Sequence, residues 1–227
     1  MDARSQILGG IRAALKRESL TGEAAAALDR RMAAPQRNLI PARTAVDAAG
    51  RMAVFQRFAG AVQTTIACVA DPDAVPAAVA KYLAENNLPA EMVMAPDPAL
   101  DVYPWAAQPL LTIRRGKAVD RDAVGVTGAF AGIAETGTLM LVSGPDKPTT
   151  INFLPDTHIV VLRADQIVGP YEEAWDRLRL STDRVLPRTV NFITGPSRTG
   201  DIEQRIQLGA HGPRRLHIIL VEDPPPQ

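Results

Sequence analysis

The chain has 227 residues, of which 25 are basic (Lys and Arg) and 25 are acidic (Asp and Glu), so its formal net charge is zero. Hydrophobic residues make up 46% and charged residues 22% of the chain, a composition that excludes an intrinsically disordered protein. The balanced charge gives no net positive field to attract nucleic acid, so no nucleic-acid partner is expected. The chain shows no signal-peptide pattern, and no apolar stretch approaches the roughly 20 residues that span a bilayer. We therefore expect a cytoplasmic protein without a membrane span.

The first part of the chain predicts a helical arm. Ser5–Arg17 carries isoleucine and leucine at helical spacing, with charged residues on the opposite side, and prolines interrupt the chain soon afterwards. The apolar stripe of this helix must dock either on the rest of the chain or on a partner. We therefore predict a helical arm and linker over residues 1–43, an α/β domain over 44–223 and a proline-rich tail over 224–227.

From residue 44 onward the pattern alternates between helices and short strands. Helices are predicted over 44–61, 75–87 and 171–180, and β-favouring runs over 64–70, 91–95, 110–113, 124–127, 138–142, 158–162, 189–194 and 216–221. Helices that separate short apolar strands favour a mainly parallel sheet covered on both faces. The residues themselves therefore predict the α/β class.

The segment Gly125–Gly144 is rich in glycine, with glycines at 125, 128, 132, 137 and 144. It matches neither the P-loop pattern nor Gly-x-Gly-x-x-Gly. Glycines between apolar strands are typical of tight turns, and they also let a phosphate or an acyl group lie against main-chain amides. Both interpretations stay open at this point.

Glu135 is the one ionisable residue between Asp122 and Asp146. A carboxylate in such an apolar, glycine-lined stretch must be paired, hydrogen-bonded to amides or held with a raised pKa. In the last case it can act as a nucleophile or a general base. The alternative is a carboxylate that caps neighbouring amides.

The loop Ser197–Asp201 follows an apolar strand, so we expect it at that strand's carboxyl end, where open α/β sheets place ligands. Ser197, Arg198 and Thr199 offer two hydroxyls and a planar cation, which suit a carboxylate or a phosphate. The serine pattern Gly-x-Ser-x-Gly fails because Thr199 stands where it needs glycine. Asp201 contributes to the same loop or caps the turn that follows.

Histidine and cysteine complete the candidate residues. His211 and Arg214 flank a Gly-Pro turn just before the last strand. They are candidates for ligand contact, and the alternative for His211 is a structural hydrogen bond. His217 lies on the strand and is expected to be structural. The histidines have no close ligand spacing, so no metal site is predicted. Cys68, the one cysteine, cannot supply the about four thiolates of an iron–sulfur cluster. Because it lies in an apolar run, we expect a buried structural thiol.

Three motifs together resemble the lactate-utilisation (LUD) domain family. They are Gly128–Thr138, Ser197–Asp201 and Gly209–Arg214, and Gln6–Leu15 with Leu39–Arg43 resembles the full-length bacterial members. The resemblance implies a three-layer α/β/α fold related to the sugar-phosphate isomerase and CoA-transferase group. It also implies a place in a three-protein cytoplasmic system that oxidises L-lactate to pyruvate. The iron–sulfur clusters of that system are expected in partner proteins, so no cofactor is expected in this chain.

The leading hypothesis is an accessory subunit of the lactate-oxidising system with a site for a small carboxylate, phosphate or acyl ligand. Glu135 is its candidate catalytic residue, and the candidate ligand-binding residues lie in the three motifs: Gly128, Thr136, Gly137, Thr138, Ser197, Arg198, Thr199, Asp201, His211 and Arg214. Two alternatives remain. One is a stand-alone acyl or CoA transferase that uses Glu135 as its nucleophile. The other is a non-catalytic scaffold that docks through its N-terminal helix. The sequence leaves open whether this chain catalyses a step itself.

Overall fold

The computed structural model describes residues 2–16, 18–183, 185–202 and 205–222, with the backbone alone for 200–202 and 205–207. The chain divides into two compact units, Met1–Leu39 and Ile40–Gln227. The predicted proline-rich tail at 224–227 lies outside the described residues. None of the described helices is both long enough and apolar enough to cross a membrane.

The first unit contains helices α1 (Ala3–Leu15) and α2 (Gly22–Ala33). The carboxylate of Asp2 caps α1 by accepting a hydrogen bond from the amide of Ser5 at 2.7 Å, which satisfies one of the free amides at a helix start. Neither helix has a buried residue. The apolar stripe predicted for the first helix is therefore exposed, and Ile7 and Leu15 are 63% and 60% exposed.

The second unit contains helices and strands in alternation. In chain order they are α3 (Ala48–Ala61), β1 (Thr65–Val69), α4 (Val75–Glu85), β2 (Glu91–Met94), β3 (Thr112–Arg115), β4 (Val124–Gly128), β5 (Ala131–Ile133), β6 (Thr138–Val142), β7 (Thr157–Arg163), β8 (Ile167–Val168), α5 (Tyr171–Ser181), β9 (Val190–Ile193), β10 (Arg198–Ile202), β11 (Arg205–Leu208) and β12 (Arg215–Val221).

Six of the described strands form a parallel central sheet in the order β1-β12-β7-β4-β2-β3. The central strands β7 and β12 are almost wholly buried, and continuous apolar runs are the expected sequence for strands covered on both faces. The mainly parallel sheet predicted from the sequence is therefore confirmed.

Helices cover the two faces of this sheet through alternate residues of its strands. On one face, Val79 and Leu83 of α4 belong to the same core as Ile159 and Ile219. On the other face, Phe55 of α3 packs into a core whose strand members include Val160, Leu162, Ile218 and Leu220. Successive side chains of a strand point to opposite faces, so β7 and β12 connect both cores. This arrangement confirms the three-layer α/β/α class.

The glycine-rich segment contains the two strands predicted at 124–127 and 138–142, and it adds a third, β5, that the sequence did not predict. Strands β5 and β6 join β8 and β9 in a second sheet of the order β8-β5-β6-β9. Leu139 and Leu141 pack into the core that contains α3, while Met140 packs against α5. The second sheet therefore lies between the central sheet and α5. The glycines allow the close approach of these layers, since a Cβ at Gly132 would lie 2.8 Å from Leu162.

Cys68 is exposed, so the prediction of a buried thiol is wrong. It lies on β1, which is an edge strand of the central sheet in the part of the chain that the structure describes. The Nε2 group of Gln56 donates to its sulfur at 3.1 Å. An apolar run predicts burial only when both faces of the strand are covered, and the end position of β1 leaves this side chain open.

Candidate functional site

A cavity of about 450 Å³ lies at the amino-terminal ends of β7 and β12. Its walls come from the end of α3, the loop after β9 and the loop before β12. The lining residues are Val62, Asn152, Phe153, His158, Phe192, Ile193, Thr194, Gly195, Pro196, Ser197, Arg198, His211, Gly212, Pro213 and Leu216. The cavity thus brings Ser197 and Arg198 together with His211, which belongs to a different sequence motif.

The position of this cavity differs from the expected one. We expected the Ser197 loop at the carboxyl end of a parallel strand, but β9 belongs to the second sheet and pairs antiparallel with β6. The loop therefore meets the central sheet where β7 and β12 begin. A local apolar pattern identifies a strand without identifying the sheet that it joins, so the predicted position at the edge of the parallel sheet is wrong.

Gly195 fixes the loop against the end of α3. Its φ angle is +77°, and a Cβ atom there would lie 2.6 Å from the carbonyl oxygen of Val62. Only glycine combines this backbone conformation with such a close approach. The same carbonyl accepts a hydrogen bond from Nη2 of Arg198, so the end of α3 positions the guanidinium at the cavity wall.

Ser197 ties the two loops of the cavity together. Its amide donates to the carbonyl of Pro213 at 2.8 Å, and its carbonyl accepts from the amide of Gly209 at 3.0 Å. Its hydroxyl accepts from the amide of His211 at 3.3 Å. Three polar groups of one residue therefore hold the His211 loop in place, and the serine hydroxyl still has its own proton to donate.

Arg198 supplies the positive charge of the cavity. It is the one arginine or lysine in the described lining, and no carboxylate pairs with it among the side chains that the structure describes. A guanidinium has five N–H donors in a planar fork that matches a carboxylate. One donor is bonded to Val62, which leaves the others for an anion.

His158 lines the cavity from the start of β7, and sequence reasoning missed it as a site residue. Its ring is fully buried, and Nε2 lies 2.8 Å from the hydroxyl of Thr127. Nδ1 has no partner among the described residues. Burial lowers the pKa of His158 from 6.5 to about 3, so the ring is neutral near pH 7 and offers one unused donor or acceptor.

A cluster of hydroxyl groups adjoins the cavity. Thr136 lies 2.7 Å from Thr138 and 2.8 Å from the hydroxyl of Tyr171, which is itself 3.0 Å from Thr138. The hydroxyl of Thr138 also lies 2.6 Å from that of Thr194. Of these four residues, Thr194 is the described lining residue. The two threonines that the sequence placed in the site are therefore connected to it through Thr194.

Glu135 is not among the described lining residues of the cavity. Its Oε2 atom accepts from the amide of Tyr171, the first residue of α5, at 3.4 Å. Its carbonyl accepts from Nε and Nη2 of Arg43 at 3.1 and 3.0 Å. Residue Pro170 before α5 provides no side-chain cap, so Glu135 takes the capping position that the sequence held open as its alternative role.

Other predicted residues are also apart from the cavity. Gly128 ends β4, where an added Cβ would lie 3.7 Å from Asp97. The side chain of Arg214 lies against Gly209, since a Cβ on that glycine would come within 2.2 Å of it. Neither residue is part of the described lining.

Thr199 and Asp201 belong to strand β10 of the hairpin that β10 forms with β11. Thr199 is not among the described lining residues. The side chain of Asp201 lies outside the described part of the structure, so its role stays a prediction. No group of three or more His, Cys, Asp or Glu side chains that could hold a metal ion occurs among the residues searched, those that the structure describes.

The comparison with protein families identifies the fold family. The model of the LUD domain matches residues 52–221. The chain belongs to the LUD domain family. The cavity and the hydroxyl cluster both lie within this LUD domain.

Comparisons with single proteins agree with this assignment. Lactate utilization protein C of Anoxybacillus flavithermus is 35% identical over 127 residues, covering 54% of each chain. The protein of the same name from Bacillus subtilis is 35% identical over 109 residues, or 47% of this chain and 45% of that one. The chain spans about half the length of the curated relatives it matches. A crystal structure of a DUF162 family protein from Deinococcus radiodurans superposes with a TM-score of 0.60 and 28% identity, covering 78% of this chain and 99% of that one.

Two histidines with similar sequence positions have different roles in the LUD domain. His158 and His217 each stand near the start of an apolar strand, yet His158 lines the cavity and His217 stacks on Tyr82 at 3.7 Å between ring centroids. The structural role predicted for His217 agrees with this stacking. Both histidines are polar residues near the start of a buried strand, so this pattern alone does not distinguish the one that lines the cavity.

Proposed function

We propose that this LUD protein serves a lactate-utilisation system by binding a small carboxylate in the cavity. One observation carries the proposal: Arg198, Ser197 and His158 line the same cavity. A volume of about 450 Å³ falls within the roughly 300–1,000 Å³ that is usual for small-molecule sites.

The lining matches the chemistry of a short carboxylic acid. The fork of Arg198 would bind both carboxylate oxygens, since charge-assisted bidentate pairs are the strongest hydrogen bonds of this kind. Ser197 and the neutral ring of His158 would contact an uncharged oxygen beside the carboxylate. Phe153 and Phe192 add an apolar rim, and they would shield these bonds from water.

The names of the relatives support the choice of ligand. Several are called lactate utilization protein C, so L-lactate and its product pyruvate are the carboxylates we propose. Oxidation of lactate to pyruvate releases two electrons and two protons. One cysteine does not fit an iron–sulfur cluster of about four thiolates, so we propose that partner proteins carry the clusters and that this chain is an accessory subunit.

The alternative of an acyl or CoA transferase has less support. Its nucleophile would be Glu135, whose carboxylate is bonded to the start of α5 and whose residue is not among the described lining residues. Phosphate would also suit Arg198 by charge, and the names of the relatives favour a carboxylate over it.

The test combines binding with growth. Isothermal titration of the purified protein with L-lactate should show binding that Arg198→Ala weakens by about 10- to 100-fold, the usual loss for a charged hydrogen bond of 1.5–3 kcal/mol. Arg121→Ala is the matched control, because Arg121 is exposed and is not a described lining residue. A deletion strain of the source organism that lacks the gene should grow on glucose and should not grow on L-lactate. Normal growth of that strain on L-lactate would refute the proposed pathway, and equal binding by Arg198→Ala would refute the proposed site.

A further inference from the structure

The four hydroxyl groups beside the cavity form a closed network. Thr136, Thr138 and Tyr171 make a ring, because each of the three hydroxyl pairs is separated by 2.7 to 3.0 Å. Thr194 is attached to this ring through Thr138 at 2.6 Å. The network therefore has four oxygen–oxygen contacts and four hydroxyl protons, one from each residue.

Counting the protons fixes the direction of one bond. Each contact needs one proton between its oxygens, so every hydroxyl must donate within the network. Three protons serve the three sides of the ring, with Tyr171 donating to Thr138, Thr138 to Thr136 and Thr136 to Tyr171. The proton of Thr194 must then serve the bond from Thr194 to Thr138. If Thr138 donated to Thr194 instead, one side of the ring would bring two part-buried oxygens together without a proton, and a hydrogen bond that contributes about 0.5–1.5 kcal/mol would be lost.

The network makes the hydroxyl oxygen of Thr194 a hydrogen-bond acceptor toward the cavity. Thr138 is fully buried, whereas Thr194 is exposed and lines the cavity. Because the proton of Thr194 is used toward Thr138, its oxygen offers lone pairs to a ligand. A ligand group placed there must donate a hydrogen bond. A hydroxyl can do so, and a ketone carbonyl cannot.

We propose that the hydroxyl network makes the cavity selective for 2-hydroxy acids over 2-oxo acids. The proposal rests on the proposed function, since it takes carboxylate binding as given, and it adds the group that distinguishes lactate from pyruvate. Thr194 is the selecting residue, and Thr138 is a positioning residue that acts through it.

The other polar side chains of the described lining do not fix a preference between the two acids. The amide of Asn152 and the ring of His211 each offer a donor or an acceptor. The hydroxyl of Ser197 can rotate to donate or accept. The free Nδ1 atom of His158 is a donor or an acceptor according to the tautomer that its bond to Thr127 selects. Arg198 donates to the carboxylate, which both acids share. Selectivity is therefore assigned to Thr194.

The first experiment needs no variant. The dissociation constants of L-lactate, pyruvate and propionate are measured on the full-length protein by titration calorimetry. Propionate has the carboxylate and lacks the second oxygen. L-Lactate should bind about 3- to 10-fold more tightly than propionate, as expected for one hydrogen bond of about 0.5–1.5 kcal/mol, and pyruvate should bind no better than propionate. Pyruvate binding as tightly as L-lactate would overturn the inference while leaving the proposed function in place. If none of the three acids binds, the proposed function fails and the inference fails with it.

Variants then test the direction of the proton. Thr194→Val removes the acceptor and should reduce L-lactate affinity to the level of propionate, with propionate affinity unchanged. Thr138→Val removes the buried partner and frees the proton of Thr194 for the cavity, so the preference for L-lactate over pyruvate should fall at least about threefold. Thr64→Val is the matched control, because Thr64 is buried with an unpartnered hydroxyl among the described residues and does not line the described cavity. An unchanged preference in folded Thr138→Val, or in Thr194→Val, would overturn the inference.

Discussion

Gly137 lies directly against the backbone of Ala59. A Cβ atom at Gly137 would be 2.1 Å from the amide nitrogen of Ala59, and the φ angle of Gly137 is +66°. Ala59 is fully buried in α3, so it cannot move away. The turn between β5 and β6 therefore packs directly against α3. Thr136 and Thr138 lie on either side of the glycine in this turn.

This contact predicts that Gly137→Ala is strongly destabilising. The methyl group would overlap helix backbone, and alanine disfavours a left-handed conformation by about 1–2 kcal/mol even in open space. We expect the free energy of unfolding to fall by at least about 3 kcal/mol, measured by urea denaturation.

Gly128→Ala is the control for this change. Its new methyl would meet its nearest neighbour at an ordinary distance of 3.7 Å, so we expect a change within about 1 kcal/mol. Equal stability of the two variants would contradict the close packing at Gly137.

The sequence predicted the central sheet because its strands have a local signal. Strands β7 and β12 are continuous apolar runs bounded by polar or turn residues, and such runs favour buried parallel strands. Strands β5 and β8 have three and two residues, too few to show any periodicity. Their existence depends on pairing with β6 and with each other, and pairing partners are distant in sequence.

The candidate site was predicted in part for a similar reason. Ser197, Arg198 and His211 are polar residues beside glycine and proline, so a loop site was visible in the sequence. Glu135 was also conspicuous as an isolated charge, but its place depends on where α5 begins after folding. His158 was missed because a polar residue at the start of an apolar strand gives no sign of which cavity it faces.

The thiol of Cys68 should react in the folded protein. It is exposed on β1, so Ellman's reagent should titrate one thiol per native chain. Partial desolvation of the sulfur raises its pKa, and the negative charge of Glu222 raises it further, while the bond from Gln56 lowers it. Only the thiolate reacts, so Glu222→Gln should lower the pKa of the thiol and increase the rate at pH 7.5. Cys68→Ser should abolish the reaction, and a native protein that reacts only after denaturation would show that the thiol is inaccessible.

The two buried histidines should make the protein less stable in mild acid. Burial lowers the pKa of His158 from 6.5 to about 3 and that of His217 from 6.5 to about 4. Between these values and 6.5 the unfolded chain binds protons that the folded chain does not. The contribution of the neutral histidines to stability is therefore complete above pH 6.5. It is lost as the pH falls toward the pKa values of the folded protein. Each histidine should lower the free energy of unfolding by about 2 kcal/mol at pH 5 relative to pH 7.5.

Urea unfolding of His217→Phe separates one of these contributions. Phenylalanine keeps a ring against Tyr82 and has no proton to bind, so the loss of stability from pH 7.5 to 5 should be smaller by about 2 kcal/mol than in the wild type. Tyr82→Phe changes the stacking partner and keeps the imidazole, so its pH dependence should match the wild type. An identical pH dependence in His217→Phe would show that His217 is not held neutral by burial.

Glu135 should matter more for stability than for ligand binding. Its carboxylate accepts from the first amide of α5 at 3.4 Å, and a negative charge near a helix start contributes about 0.3–1 kcal/mol. Glu135→Gln keeps an acceptor oxygen and loses the charge, so unfolding should become easier by at most about 1 kcal/mol. L-Lactate affinity should change by less than about twofold, because the residue is not among the described lining of the cavity. Glu91→Gln makes the same chemical change at an exposed carboxylate at the start of β2, and it should alter neither quantity. A large loss of L-lactate affinity in folded Glu135→Gln, with Glu91→Gln unaffected, would show that Glu135 takes part in ligand binding.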